Sequence, residues 1–162
     1  MMPSWFDIYA LPVGVSEPEE PAGISASVAA VHGLLDGLVK SGVPSQSILL
    51  GGFSQGGALS LQAGLTYPSR LAGIVCISGW LVTPKALNAS PHARDVPTFF
   101  SSGTADPVVD YRLAQASGQL LRELFAEGPA DRLCLMRIDR AAHHPKKIEQ
   151  DAAVEFMLNC LQ

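Results

Sequence analysis

No stretch of this sequence stays apolar for the ~20 residues that a membrane-spanning helix needs, so no such span is expected. Basic runs are missing too: Lys146-Lys147 is the longest, and 11 Lys and Arg stand against 15 Asp and Glu for a net charge of −4. Without a basic stripe, nucleic acid is not an expected partner. Cysteine is scarce. Cys76, Cys134 and Cys160 are an odd number at wide spacing, which reads as free thiols in a reducing compartment rather than a disulfide framework. Cys76 and Cys134 lie in apolar runs and are expected in the core. The opening Met1-Met2-Pro3-Ser4-Trp5-Phe6-Asp7 has neither the charged-then-apolar pattern of a secretory signal nor the Met-Gly of myristoylation. Cys160 is third from the end, one place off a prenylation box. Repeats and low-complexity tracts are absent.

What is present is apolar material in quantity. Hydrophobic residues make up 48% of 162, which excludes disorder and suggests one core, with residues 1–162 forming a single domain. Residues 12 to 21 combine turn formers with three glutamates and read as a surface loop. Ile24, Val28, Val31, Leu35 and Leu38 recur at helical spacing, and Gly42 follows as a stop. Apolar runs of strand length cover residues 48–53, 71–78, 96–101 and 132–138. Helical patterns follow from Gln55 to Tyr67, over 110–127 with Leu113, Leu120, Leu121 and Leu124 on one face, and over 146–161 with Ile148, Ala152, Phe156 and Asn159 or Cys160 along one side. Strands alternating with helices imply parallel pairing and right-handed crossovers. Nearly continuous apolar strands imply a sheet covered on both faces. The expected fold is an open, mostly parallel α/β sheet with helices on both faces, and its sites belong at the carboxyl ends of the strands.

The first strand ends in Gly52-Phe53-Ser54-Gln55-Gly56, flanked by Gly51 and Gly57. G-x-S-x-G between an apolar strand and a helix is the pattern of a nucleophile elbow. The serine occupies a strained turn, and glycines on either side leave room for neighbouring backbone. Ser54 would then project at the start of a helix, whose dipole and the free N–H of Gln55 favour a developing oxyanion. On this fold an acid and a histidine follow in that order, on loops after later strands. Asp106 is the acid in the loop after the third strand. It would orient an imidazole and stabilise the imidazolium; an Asp before Pro107 also reads as an Asx-turn. After the fourth strand come His143 and His144, and the spacing leaves open which of them would be the general base. Adjacent histidines suggest a metal as well, but no Cys or acidic ligand stands at helical or hairpin spacing to complete a site, so no metal is expected. His32 and His92 read as surface residues.

The chain resembles the acyl-protein thioesterases and small, lysophospholipase-like carboxylesterases. Five stretches carry the likeness: residues 2–8 (Met2-Pro3-Ser4-Trp5-Phe6-Asp7-Ile8), Ile48 to Ser60 (ILLGGFSQGGALS), Leu71 to Val75 with Ser78-Gly79-Trp80-Leu81, Gly103 to Val109, and the surroundings of His143. The resemblance implies an α/β-hydrolase fold and hydrolysis of thioester or ester bonds of fatty acyl chains by a Ser-His-Asp triad. It implies no cofactor and a cytoplasmic place of action. Its implied substrates are fatty-acylated protein, lysophospholipid or small acyl ester. It puts the catalytic histidine on His143, counting back from a closing helix whose Phe156 matches a family aromatic. Trp80 and Leu81, after the second strand, would line the acyl channel, although Trp80 is equally a candidate core aromatic.

Three departures accompany the likeness. Family members begin well before the Met-Pro-Ser-Trp-Phe-Asp motif, which here has one residue ahead of it. The preceding segment supplies the family's first strands and a His-Gly-bearing loop with the second oxyanion donor. Ser102 stands where the family has the His of His-Gly, and Arg140 where a glycine is common. The first strand is therefore expected at the edge of a four-stranded parallel sheet. The alternative to an active hydrolase is a weak or inactive, truncated relative serving as a binding module or as a non-functional fragment.

Overall fold

The computed structural model describes residues 4–16, 18 and 21–162. Met2 and Pro3 of the first family stretch, and Glu17, Glu19 and Glu20 of the expected loop, lie outside the described residues. The elements are α1 (Ile24–Lys40), β1 (Leu49–Phe53), α2 (Gln55–Thr66), β2 (Gly73–Ile77), β3 (Thr98–Gly103), α3 (Tyr111–Phe125), β4 (Leu133–Ile138) and α4 (Lys147–Cys160). Among the described residues the strands form one parallel sheet in the order β1-β2-β3-β4, with β1 at one edge. No described helix is long and apolar enough to cross a membrane.

β3 sits two residues later than the apolar run suggests. Val96 closes a short 3-10 turn by donating to Ala93 O, and Pro97 has no N–H for a ladder. At the other end Ser102 and Gly103 still pair with Arg137 and Ile138, so β3 runs on to the site.

The two faces of the sheet are covered unequally. On one, Leu61 and Leu65 of α2 and Leu121 and Phe125 of α3 pack on Ile74, Cys76 and Phe100. α1 lies outside α2, so only a narrow strip of it is enclosed: Ile24 and Leu35 are buried, whereas Leu38 of the expected stripe is exposed. Among the described residues the other face carries α4 alone, packed over Val75 of β2 and Phe99 of β3. One helix about 10 Å wide cannot shield four strands. Cys134, expected in the core, lies on this face of edge strand β4 and is exposed. The stripe that α4 buries also differs from the apolar pattern. Ile148 is exposed and Glu149 is buried, followed by Ala153 and Phe156. One Glu149 carboxylate oxygen accepts the Lys146 N–H at the start of its own helix, whereas Oε1 is buried without a hydrogen-bond partner among the described residues.

The loop expected over residues 12 to 21 contains an anchor. Val13 is buried and makes a parallel bridge with Val109; its N–H donates to Val108 O at 2.7 Å and its carbonyl accepts from Asp110 N at 2.8 Å. His32 is half-buried rather than a surface residue, with Nε2 2.9 Å from Ala63 O and its ring edge-on to Tyr67. His92 is exposed.

Burial separates the thiols chemically. Cys76 is fully enclosed, and desolvation pushes its pKa up to about 12, so it stays a neutral, unreactive thiol. Iodoacetamide should therefore modify Cys134 in the folded chain, and Cys76 only after denaturation. Mass mapping of the alkylated peptides checks this; rapid native modification of Cys76 would contradict the packing of α2 on β2.

Candidate active site

The site is assembled at the carboxyl ends of β1, β3 and β4. Ser54 joins β1 to α2 with φ 54° and ψ −124°, a left-handed backbone that an L residue adopts only under constraint. The constraint is visible: Ser54 N donates to Ile77 O at 2.8 Å, and Ser54 O accepts from Ala58 N at 2.9 Å. The glycines that permit this turn are not quite those of the motif. A Cβ on Gly52 would lie 2.4 Å from Gly56 C and O, and one on Gly57 would lie 2.8 Å from Gly52 O. At Gly56 a Cβ would meet nothing within 4 Å. The crowding is between the last turn of β1 and the first turn of α2, so Gly52 and Gly57 are the positions the elbow needs.

Asp106 and His143 stand on neighbouring loops that are laced together. Thr104 N donates to Ile138 O (3.0 Å), Ala105 N to Ala141 O (3.0 Å), and Arg140 N to Thr104 Oγ1 (2.8 Å). The loops touch so closely that a Cβ on Gly103 would lie 2.4 Å from Ala141 O. Arg140 takes φ 55° to make this turn, which accounts physically for glycine being common there.

These loops bring three of the sequence candidates into one line. Ser54 Oγ lies 2.8 Å from His143 Nε2, and His143 Nδ1 lies 2.7 Å from Asp106 Oδ2. The Asp106 and His143 side chains are 2% and 13% exposed, so their pairing is shielded from water. The two carboxylate oxygens of Asp106 make different contacts. Oδ1 accepts from Val108 N (2.8 Å) and Val109 N (2.9 Å), forming the Asx-turn, while Oδ2 faces the imidazole. His144 is exposed and takes no part in that line. Among the described residues no three His, Cys, Asp or Glu side chains are grouped to hold a metal. The fourth candidate, Gln55, is the first residue of α2, so its N–H lacks an intrahelical partner.

Trp80 and Leu81 fall elsewhere. They are 4% and 3% exposed, and Trp80 stacks edge-on with Phe6 at 6.0 Å. The cavity they border, with Phe6, Val13 and Leu113, holds about 80 Å³, too small for a long acyl chain. A wider cleft of about 640 Å³ opens beside Gln55 instead, lined by Phe6, Ile8, Tyr9 and Leu11.

One residue and one side-chain role escaped the sequence reading. Phe53 lays its ring 4.7 Å from the His143 imidazole; the only signal was its place as the variable residue before the serine. The Gln55 side chain ties Trp5 and Phe6 to the elbow; its signal was a long polar side chain at the head of an otherwise small-residue helix start.

The parallel sheet, the strained serine at the end of β1 and the loop-borne acid and histidine define an α/β-hydrolase fold. The chain belongs to the phospholipase/carboxylesterase family, whose model matches residues 1–148. It is 45% identical over 123 residues to acyl-protein thioesterase 1 of Cryptococcus neoformans, covering 74% of this chain and 52% of that one. With acyl-protein thioesterase 1 of Schizosaccharomyces pombe it shares 44% over 124 residues, covering 74% and 54%. The chain thus spans about half the length of the curated relatives it matches. The crystal structure of Arabidopsis thaliana SOBER1 superposes with a TM-score of 0.87 at 27% identity, covering 98% of this chain and 74% of that one. Acyl-protein thioesterase 2 of Zea mays superposes at 0.74, also at 27% identity, covering 98% and 73%.

Proposed function

We propose that this chain is a serine hydrolase that cleaves acyl thioester or carboxylic ester bonds, acting in the cytoplasm without a cofactor. The observation that carries the reading is the Ser54–His143–Asp106 line at 2.8 and 2.7 Å with the serine held at positive φ. Ser54 Oγ attacks the acyl carbonyl carbon while His143 Nε2 takes its proton. Asp106 holds the ring with Nδ1 protonated, so that Nε2 is free to accept. The carbonyl oxygen becomes an oxyanion at the start of α2, where the Gln55 N–H and the helix dipole favour it. His143 then returns the proton to the departing thiolate or alkoxide. Water, activated by the same nitrogen, releases the carboxylic acid from the acyl-serine. The apolar cleft beside Gln55 suits the chain of a fatty acyl group. Names of the relatives make an acylated protein the leading substrate, with lysophospholipids and simple esters as the other candidates.

The test is covalent. An alkyl fluorophosphonate should add to Ser54, with loss of fluoride, and peptide mapping should find the phosphonyl group there. An adduct at a different serine, or none at all, would sink the reading.

One observation favours a weaker catalyst or a binding module. The strand that presents Ser54 is a sheet edge among the described residues, and Phe53 beside the serine is 40% exposed. An elbow braced from one side is free to shift, and a displacement of about 1 Å costs ~10²-fold in rate. Slow turnover together with Ser54-specific labelling is the outcome that reading requires.

A further inference from the structure

The Gln55 side chain is engaged at both ends of its carboxamide. Oε1 accepts the Trp5 N–H at 3.1 Å, and Nε2 donates to Phe6 O at 2.8 Å. One rigid, planar group therefore grips two successive residues of a segment far away in sequence. Gln55 directly follows Ser54, so the length of this one side chain sets how far residues 5–6 stand from the nucleophile. Beyond Phe6 the segment continues as the apolar wall of the 640 Å³ cleft, where Tyr9 and Leu11 are 57% and 70% exposed. Apolar side chains held open in a cleft that reaches Gln55, the residue after the nucleophile, are positioned for an apolar ligand.

We infer that the Gln55 carboxamide is a positioning residue for acyl-chain selectivity: it latches residues 5–6 to the elbow and so holds the Ile8–Leu11 wall in register with Ser54. This rests on the hydrolase reading above. The role is separate from that of the Gln55 N–H, which belongs to the backbone. It is also local. Phe6 is buried against Trp80, Asp7 N donates to Ala22 O at 2.9 Å, and Ser27 Oγ donates to Trp5 O, and none of these contacts involves the carboxamide. Removing the latch therefore loosens the wall without removing the segment. Each methylene buried along such a wall is worth about fourfold in reaction rate, so a wall out of register shows as lost preference for long chains.

The experiment compares ethyl and dodecyl fluorophosphonates as inactivators of the 162-residue chain, with Ser54→Ala as the control for specific labelling. The wild-type chain should react with the dodecyl probe at least about tenfold faster than with the ethyl probe. Gln55→Ala, and the similarly long but non-hydrogen-bonding Gln55→Met, should bring that ratio close to one. Leu11→Ser should lower the ratio in the wild-type background and change nothing further in Gln55→Ala, because the two act on one wall. Amide exchange at Trp5 should quicken in both Gln55 variants. An unchanged dodecyl-to-ethyl ratio in Gln55→Ala and Gln55→Met overturns the latch and leaves the hydrolase reading intact. Absence of Ser54-dependent labelling in the wild-type chain overturns the hydrolase reading, and the latch with it. Failure of both Gln55 variants to fold assigns the side chain to stability and overturns the inference as well.

Discussion

Asp106→Asn should cut the rate of acyl-ester hydrolysis by about 10⁴ while leaving the melting temperature within a degree or two of wild type. The asymmetry follows from the division of labour between the two carboxylate oxygens. An asparagine keeps an oxygen for the Val108 and Val109 N–H groups, which are donors and need an acceptor there. It then turns an NH₂ toward His143 Nδ1, where Oδ2 stood at 2.7 Å. Two donors cannot face each other, so the ring takes the tautomer with its proton on Nε2 and can no longer accept from Ser54. Asp106→Ala should lose the same activity and also destabilise the chain, by about 1–2 kcal/mol, because the turn loses its acceptor. Ser54→Ala should be at least as damaging to rate as Asp106→Asn, and the double variant no worse than Ser54→Ala, since the three groups act as one unit. Initial rates on one acyl thioester, with denaturation curves alongside, decide the matter. An Asp106→Asn variant that retains a tenth of the wild-type rate would remove Asp106 from the mechanism.

Gly52→Ala should yield little or no folded protein, whereas Gly56→Ala should fold and gain roughly 0.5–1 kcal/mol. Both residues are glycines of the same short motif, and the difference is one of neighbours. The methyl group at position 52 would come within 2.4 Å of backbone atoms of Gly56, and neither side can retreat because β1 and the first turn of α2 are consecutive in the chain. Overpacking against mobile side chains costs about 1–3 kcal/mol; against backbone at this distance the cost exceeds that range and approaches the whole stability of a small domain. At position 56 the methyl group meets open space on a helix, where alanine is the better helix former. Urea denaturation of the two variants is the measurement. A folded Gly52→Ala chain with an unchanged midpoint would show that the elbow is not built as described.

The open face under β1 and β4 was the least legible part of the sheet. Apolar runs at 48–53 and 132–138 read as strands enclosed on both sides, and they are strands. But sequence order does not say how many helices return to each face. Here α2 and α3 share one side and α4 covers only the middle of the other, so Cys134 and Phe53 remain exposed despite their composition. The same limit applies to α4, where apolarity selected Ile148 and the fold buried Glu149 beside it. One of the Glu149 oxygens meets a backbone N–H, and that donor belongs to the local chain path rather than to the residue type. Trp80 and Leu81 follow the same logic: their position after β2 suggested a channel, but Phe6 and Val13 pack on Trp80, and Leu81 joins the core between the sheet, α2 and α3.

Residue order alone was enough for the alternation of strands and helices, the parallel sheet and the elbow at Ser54, because each rests on local sterics or on short-range patterning; the place of β1 at the sheet edge was expected only through the family resemblance. A positive-φ serine needs glycine near it, and a strand ending in a helix needs that same run of small residues. Spacing left the choice between the two histidines open and the family resemblance pointed to His143, whereas which oxygen of Asp106 faces the ring and which side chains wall the cleft were settled only in three dimensions. The contacts of the site join residues up to 89 positions apart. They depend on a few tenths of an ångström in how the loops after β3 and β4 close on each other, and on one glutamine reaching back to the start of the chain.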